Sequence, residues 1–333
     1  MNDLAIIWSA ILAFAIYAYV VLDGFDLGIG ILAPFARSDD EEETMISAIA
    51  PVWDGNETWL VLGGGGLMAA FPLAYSILLP ALYAPIIAML LALIFRGVAF
   101  EFRHRRERHR PYWTWGFVLG SYVATFAQGI ALGTFIQGVA VEGRAYAGGW
   151  FDWLTPFSVF TGLALIAGYA LLGACFLIMK AGGALQDKMF RAALPLGAAV
   201  LASIAIVSVW TPFLDPVIRE RWFSWPNIAL LSPVPLLVAA IALAFFRALA
   251  RGRQAMPFIM VSLLFLVSYC GVAISVYPYI VPRAVTVWQA AAPDESLGFL
   301  LVGTAVLVPI ILAYSGYSYW VFRGKVGSAS GYH

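Results

Sequence analysis

Residues 4–33 read LAIIWSAILAFAIYAYVVLDGFDLGIGILA, a stretch in which only Asp23 and Asp26 carry charge. Coiled at 1.5 Å per residue, such a run is roughly 45 Å long, enough to cross a hydrocarbon core of about 30 Å. It opens behind Met1-Asn2-Asp3, with no basic residue in front and no small-residue cleavage pattern behind. The reading is therefore a retained membrane helix and not a signal peptide. The rest of the chain extends this. Hydrophobic residues make up 62% of the 333 and charged residues 11%, against about 45–50% and 25% in soluble domains. The formal net charge is zero, so nothing electrostatic points to nucleic acid.

Further apolar runs of spanning length fall near 51–72, 76–98, 113–138, 156–179, 191–211, 228–249, 256–279 and 297–322. The expectation is an all-α, polytopic transmembrane protein of about nine spans, arranged as two helical bundles plus one extra helix. Residues 1–333 then form a single integral membrane domain, because the connecting loops are too short for another. The second run opens with Trp53-Asp54-Gly55-Asn56-Glu57 and carries Gly63 to Gly66, so it reads either as a continuous helix or as a broken one. Basic residues set the orientation. Loops after odd-numbered spans collect 15 of the Lys and Arg residues and the other side only Arg144, Arg219, Arg221 and Arg283. The C-terminus is expected in the cytoplasm and, with nine spans, the N-terminus outside. The run Asp39-Asp40-Glu41-Glu42-Glu43 reads as a solvated loop face. Arg103 to Arg110 reads as a topology signal beside anionic headgroups.

All three histidines, His104, His109 and His333, lie in charged or terminal segments. No span contains one, so no haem ligation by histidine is expected within the membrane part of this chain, and no metal site. Cys175 and Cys270 lie in separate apolar runs and read as packing residues. The chemistry-bearing residues are acids. Asp23 and Asp26 stand at i, i+3 on the first span, and Asp54 and Glu57 repeat the spacing at the start of the second, so all four converge at similar depth. Acids in a bilayer are costly and usually functional. Two that close cannot both ionise cheaply, so one carboxyl stays protonated and can relay protons. Against this stands the plainer reading that they cap helices or pair with an arginine. Gly24 and Gly28 allow a second helix to approach closely. Gln128, Gln137 and Glu142 read as hydrogen-bonding links between helices, and Arg96 as an interfacial ion pair with Glu101. Trp59 reads on local sequence as packing.

Three segments together resemble the signatures of subunit II of cytochrome bd-type quinol oxidases: Leu22-Asp23-Gly24-Phe25-Asp26-Leu27-Gly28, Pro51 to Leu60 with Trp53, Asp54, Asn56, Glu57 and Trp59, and Arg96-Gly97-Val98-Ala99-Phe100-Glu101-Phe102-Arg103. They occur in the family's order and spacing. The chain is short for the family, as in its cyanide-insensitive branch. The resemblance implies a partner, a haem-bearing subunit I with two b-type haems and either haem d or a third haem b, none ligated here. It also implies quinol as substrate, oxygen reduced to water, a bacterial inner-membrane setting, and in some relatives a small single-helix subunit or a structural quinone. By the same resemblance Asp54 matches the family's proton-channel carboxylate, with Glu57, Asp23 and Asp26 beside it. Trp59 matches the tryptophan at the mouth of its proposed oxygen route. The competing reading is a proton- or cation-coupled secondary transporter with a broken second helix. No corresponding broken segment stands in the second half.

Overall fold

The computed structural model describes residues 3–103 and 110–326. His104, His109, His333 and the arginines between Arg103 and Arg110 lie outside them. Helices α1 (Asp3–Leu32), α2 (Asp39–Ser47), α3 (Trp53–Ala70), α4 (Pro72–Ala81), α5 (Tyr83–Arg103), α6 (Arg110–Gln137) and α7 (Pro156–Lys180) make up the first half. The second holds α8 (Gly183–Leu214), α9 (Pro216–Phe223), α10 (Asn227–Leu231), α11 (Pro233–Ala250), α12 (Met256–Val276), α13 (Val287–Ala290) and α14 (Asp294–Val321). Two short hairpins, β1 (Val141–Glu142) with β2 (Ala145–Tyr146) and β3 (Tyr279–Val281) with β4 (Val285–Thr286), close loops at one end.

Among the described residues, 8 helical segments are long and apolar enough to cross a membrane. Helix α3 is not one of them, because Asp54, Asn56 and Glu57 dilute its 18 residues. Its packing nevertheless places it beside α1 along most of that helix. Asn56 bonds Leu22 O, Trp59 meets Phe14 edge-on at 5.5 Å, and Cβ atoms at Gly63 and Gly66 would touch Ile16 and Leu12. These contacts run antiparallel, so α3 traverses the same thickness and completes a plan of about nine spans. The four glycines lie inside one continuous helix, and the break comes later, at Phe71 and Leu82, either side of α4. The expected third span, 76–98, is thus carried by α5 with a short helix in front.

Helices α1, α3, α5 and α6 form one group and α7, α8, α11 and α12 a second, with α14 along α1 and α3. The groups meet where α7 crosses α1 and α6, and small residues permit it. A Cβ at Gly28 would lie 1.8 Å from the Tyr169 carbonyl oxygen, and one at Gly173 would lie 2.6 Å from the Gly28 carbonyl carbon. Phe25 and Phe176 stack across the same crossing at 4.0 Å. On the other flank Gly129 and Gly133 of α6 meet Gly162 and Ser158 of α7, where added Cβ atoms would fall 2.5 and 2.6 Å from backbone atoms. Lipid tails are as apolar as Leu, so helix association in a bilayer rests on such close packing and on interhelical hydrogen bonds.

The acidic run 39–43 is not a free loop face. Ser38 accepts from Glu41 N and caps α2. Glu42 and Glu43 accept from Arg103 at 2.5 and 2.8 Å. Glu41 takes Lys188 Nζ at 2.7 Å and the Arg37 amide at 2.9 Å. Those two bonds, the lysine's first, hold the Glu41 carboxyl below its ordinary range. Cys175 is buried and Cys270 exposed, both as free thiols.

Replacing Gly28 by Ala puts a methyl group against the backbone of α7, which cannot swing aside as a side chain would. The expected cost is at least the 1–3 kcal/mol typical of overpacking, ~2 kcal/mol as a working figure. It should appear as a lower melting temperature and reduced accumulation in the membrane. An unchanged melting temperature would mean that α1 and α7 do not approach this closely.

Candidate functional site: a charge cluster buried between the first spans

Asp23 and Asp26 face inward on α1 and are fully buried. The glycines around them let neighbouring helices close over the acids; at Gly30 a Cβ would fall 2.0 Å from Ser121 Oγ. Helix α5 is drawn equally close to α6, since a Cβ at Gly120 would lie 2.7 Å from Ala92 O. That approach carries Arg96 into the core, where it is 1% exposed. Arg96 Nη1 donates to Glu57 Oε1 at 2.9 Å and to Asp23 Oδ1 at 3.4 Å, and its guanidinium lies 5.7 Å from the Phe117 ring centre.

Two hydrogen-bond chains extend from this centre. Tyr319 of α14 donates to Asn56 Oδ1 at 2.8 Å, and Asn56 Nδ2 donates to Asp26 Oδ2 at 2.7 Å. Tyr169 of α7 donates to Gln128 Oε1 at 2.7 Å, and Gln128 Nε2 donates to Tyr19 Oη at 2.8 Å; the Tyr19 hydroxyl lies beside Asp23. Four polar atoms in the cluster, Asp23 Oδ2, Asp26 Oδ1, Arg96 Nε and Arg96 Nη2, are buried and meet no hydrogen-bond partner among the described residues. Three carboxyls therefore share one guanidinium. The cluster is sealed at Asp23 and Asp26, while the Glu57 side chain is 26% exposed.

The structure brings together Asp23, Asp26, Asn56, Glu57 and Arg96. It does not bring in Asp54, which is exposed one helical turn before Glu57. The expected ion pair of Arg96 with Glu101 is not formed. Arg96 turns into the core, and Glu101, five residues on, points to the opposite, exposed face of α5. Trp53 packs on Phe100 at 5.1 Å and covers Gly97. Trp59 is 1% exposed, held against Ala15, Ala18 and Tyr19. Its partner Phe14 also lines an apolar groove of about 490 Å³ between α1, α3 and α14, bounded by Ile7, Ile11, Leu62, Leu301 and Val308, with Thr304 its one hydroxyl-bearing wall residue. Gln137 accepts from Thr155 at 2.6 Å, whereas Glu142 sits exposed in β1. Tyr19, Tyr169 and Tyr319 were not anticipated. A tyrosine in an apolar run carries no local mark, and Tyr319 stands 263 residues from the amide it holds.

The sequence profile described as cytochrome bd terminal oxidase subunit II matches residues 4–322. The chain belongs to that family. It is 30% identical to cytochrome bd-I ubiquinol oxidase subunit 2 of Escherichia coli strain K12, over 97% of this chain and 95% of that one. It is 26% identical to cytochrome bd ubiquinol oxidase subunit 2 of Bacillus subtilis strain 168, covering 98% of each. The solved structure of bd oxidase from Geobacillus thermodenitrificans has the same fold, with a TM-score of 0.78 at 16% identity over 96% of this chain and 99% of that one. This oxidase subunit is therefore a multi-pass membrane component of an oxidoreductase complex that includes a subunit I, and the transporter reading is set aside.

Truncating one partner of a buried ion pair leaves its mates uncompensated and costs about 3–5 kcal/mol. Arg96→Met should accordingly lower the melting temperature of the oxidase complex steeply or abolish its accumulation. Arg96→Lys should restore part of the loss. A Met variant as stable as the parent would show that Asp23 and Glu57 do not depend on the guanidinium.

Proposed function

We propose that this subunit supplies the proton route, and borders the oxygen route, of a quinol:oxygen oxidoreductase whose haems are bound by subunit I. The observation that carries the reading is the gradient of burial from Asp54, one helical turn outside the charge cluster, to the acids within it. Asp54 is exposed, Glu57 is partly exposed, and Asp23 and Asp26 are sealed, with Arg96 bonded to both Glu57 and Asp23. A bare proton or hydronium cannot cross hydrocarbon at reasonable cost, and carboxyls spaced by hydrogen-bonding groups shorten the step. A carboxyl that shares its one cation with two other acids can take up and release a proton at modest cost. In this scheme Asp54 collects the proton, Glu57 accepts it, and Asp23 and Asp26 set the field around it.

Haems held by subunit I, one of d or b type beside two of b type, would pass electrons from quinol to oxygen, which would leave as water. Protons drawn from the cytoplasm then make the reaction electrogenic and build proton-motive force. The basic side chains Arg37, Arg103, Lys180, Lys188, Arg247 and Arg323 gather at the ends of spans assigned to the cytoplasmic side, which supports a cytoplasmic C-terminus and an N-terminus outside. A bacterial inner membrane follows from the relatives. Oxygen is apolar and partitions into hydrocarbon, so the groove that reaches Phe14, against which Trp59 packs, suits its passage while excluding ions. A small single-helix subunit and a structural quinone accompany some relatives and belong to the same proposal.

Asp54→Asn should slow oxygen consumption about a hundredfold, the lower end of the roughly 10²–10⁴-fold range that one proton-transfer group commands, while assembly and the haem spectrum are retained. Equal loss of haem and of turnover would make Asp54 structural. Trp59→Ala should change the apparent oxygen affinity or the rate of ligand rebinding after photolysis. A rebinding rate equal to the parent's would remove Trp59 from the oxygen route.

A further inference from the structure

Helices α7 and α14 end side by side, at the end of the bundle that also carries α2, Arg103 and Lys188. Lys180, the last residue of α7, is 6% exposed. Its ammonium donates to the Phe322 carbonyl just past α14 and lies 5.8 Å from the Phe176 ring centre. Its own carbonyl accepts from Val326 N at 2.9 Å, which pins the strand after α14 against it. No ion-pair partner of Lys180 occurs among the described residues, in contrast with Arg96, Arg103 and Lys188, each of which holds a carboxylate.

Beside this lysine is a hollow of about 230 Å³ bounded by Ser47, Ala48, Pro51, Lys180, Phe322, Gly324, Lys325 and Val326. Two of its boundary residues are lysines and none is an acid. An ammonium has three donors and no acceptor, and Lys180 spends one donor on a carbonyl. The C-terminal carbonyls of the two helices, about half a negative charge each, offset only part of the charge that the two lysines carry together. The depth is that of the headgroups, since α7 is a spanning helix and Lys180 is its final residue. Taking a water as about 30 Å³, the hollow accommodates a tetrahedral oxyanion together with several waters.

We propose that this hollow is a phosphate-group site, in which Lys180 and Lys325 hold the phosphate of a membrane phospholipid or of a soluble phosphate. The chemistry is the same for both sources: a compact ammonium recognises phosphate oxygens as a point charge, and basic groups at the membrane surface attract anionic lipid. The site is independent of the proton route. Its failure would leave Asp54 and Glu57 untouched.

The test uses the assembled oxidase complex, as the parent and as the Lys180→Gln and Lys325→Gln variants. Native mass spectrometry reads phospholipid retained after delipidation, and thermal melting is followed with inorganic phosphate and separately in nanodiscs of anionic or of neutral phospholipid. Retention of an anionic phospholipid by the parent, reduced about fivefold in each variant, identifies the lipid source. A melting temperature raised by inorganic phosphate in the parent alone, without retained lipid, identifies the soluble source. Either result supports the site. The Lys325→Gln variant keeps the bond from Lys180 to Phe322, so it remains informative should Lys180→Gln fail to assemble. Lipid retention and phosphate response in Lys325→Gln equal to those of the parent, with no anion preference in either, would overturn the proposal and reduce Lys180 to a helix cap.

Discussion

A guanidinium cannot rest between membrane helices unless carboxylates come to meet it, and that requirement organises the first half of this protein. Arg96 is held at 1% exposure by Glu57 from α3 and Asp23 from α1. Three helices are thereby tied at one depth, although no two of these residues are near in sequence. In a medium with no water to solvate stray charge, such ties contribute directionality that apolar packing between equally apolar helices lacks. The same charges are costly to gather, so the cluster is weak evidence for stability in itself. Its composition, three acids to one base, is more than a strut needs, and the proposed proton route rests on that excess.

Close backbone approach encloses the inner part of the cluster. The crossing of α1 and α7 at Gly28 and Gly173, and that of α5 and α6 at Gly120, bring main chains within reach of one another. The acids of α1 are sealed by these crossings. Two aromatic hydroxyl groups enter from α7 and α14 to hold the amides Gln128 and Asn56. Helix α14 is otherwise largely exposed in the isolated chain, so its polar anchors, Tyr319 to Asn56 and Ser318 to Pro51 O, register its position on the core. Movement of α14 and the environment of Asp26 are linked through two hydrogen bonds.

At the opposite extreme of burial, α2 shows how charge is managed at the membrane surface. Read as a string, Asp39 to Glu43 is a block of like charge that ought to stay solvated. In the fold, Arg103 and Lys188 arrive from α5 and α8 and pair with Glu41, Glu42 and Glu43, while Asp39 and Asp40 remain exposed. The block is a docking surface for basic helix ends. Lys180, eight residues before Lys188 in the chain, has no such acid among the described residues, and the contrast is what singles it out.

Composition and run length alone determined that this chain is a bundle of membrane helices, because hydrocarbon admits few other folds and each span must be written as a continuous apolar segment. They also placed Asp23, Asp26, Asp54 and Glu57 in pairs at helical spacing, since i, i+3 neighbours share a face whatever the tertiary structure. Which of those acids would be sealed and which exposed was decided only by packing, as Asp54 and Glu57 lie one turn apart on the same helix and differ in exposure. The partner of Arg96 was likewise beyond local reading. Glu101 is nearest along the chain, but a helix turns 100° per residue and five residues carry it to another face, whereas Asp23 and Glu57 reach Arg96 across space. Sequence periodicity specifies faces; only the mutual approach of helices, set here by glycines, specifies which faces meet.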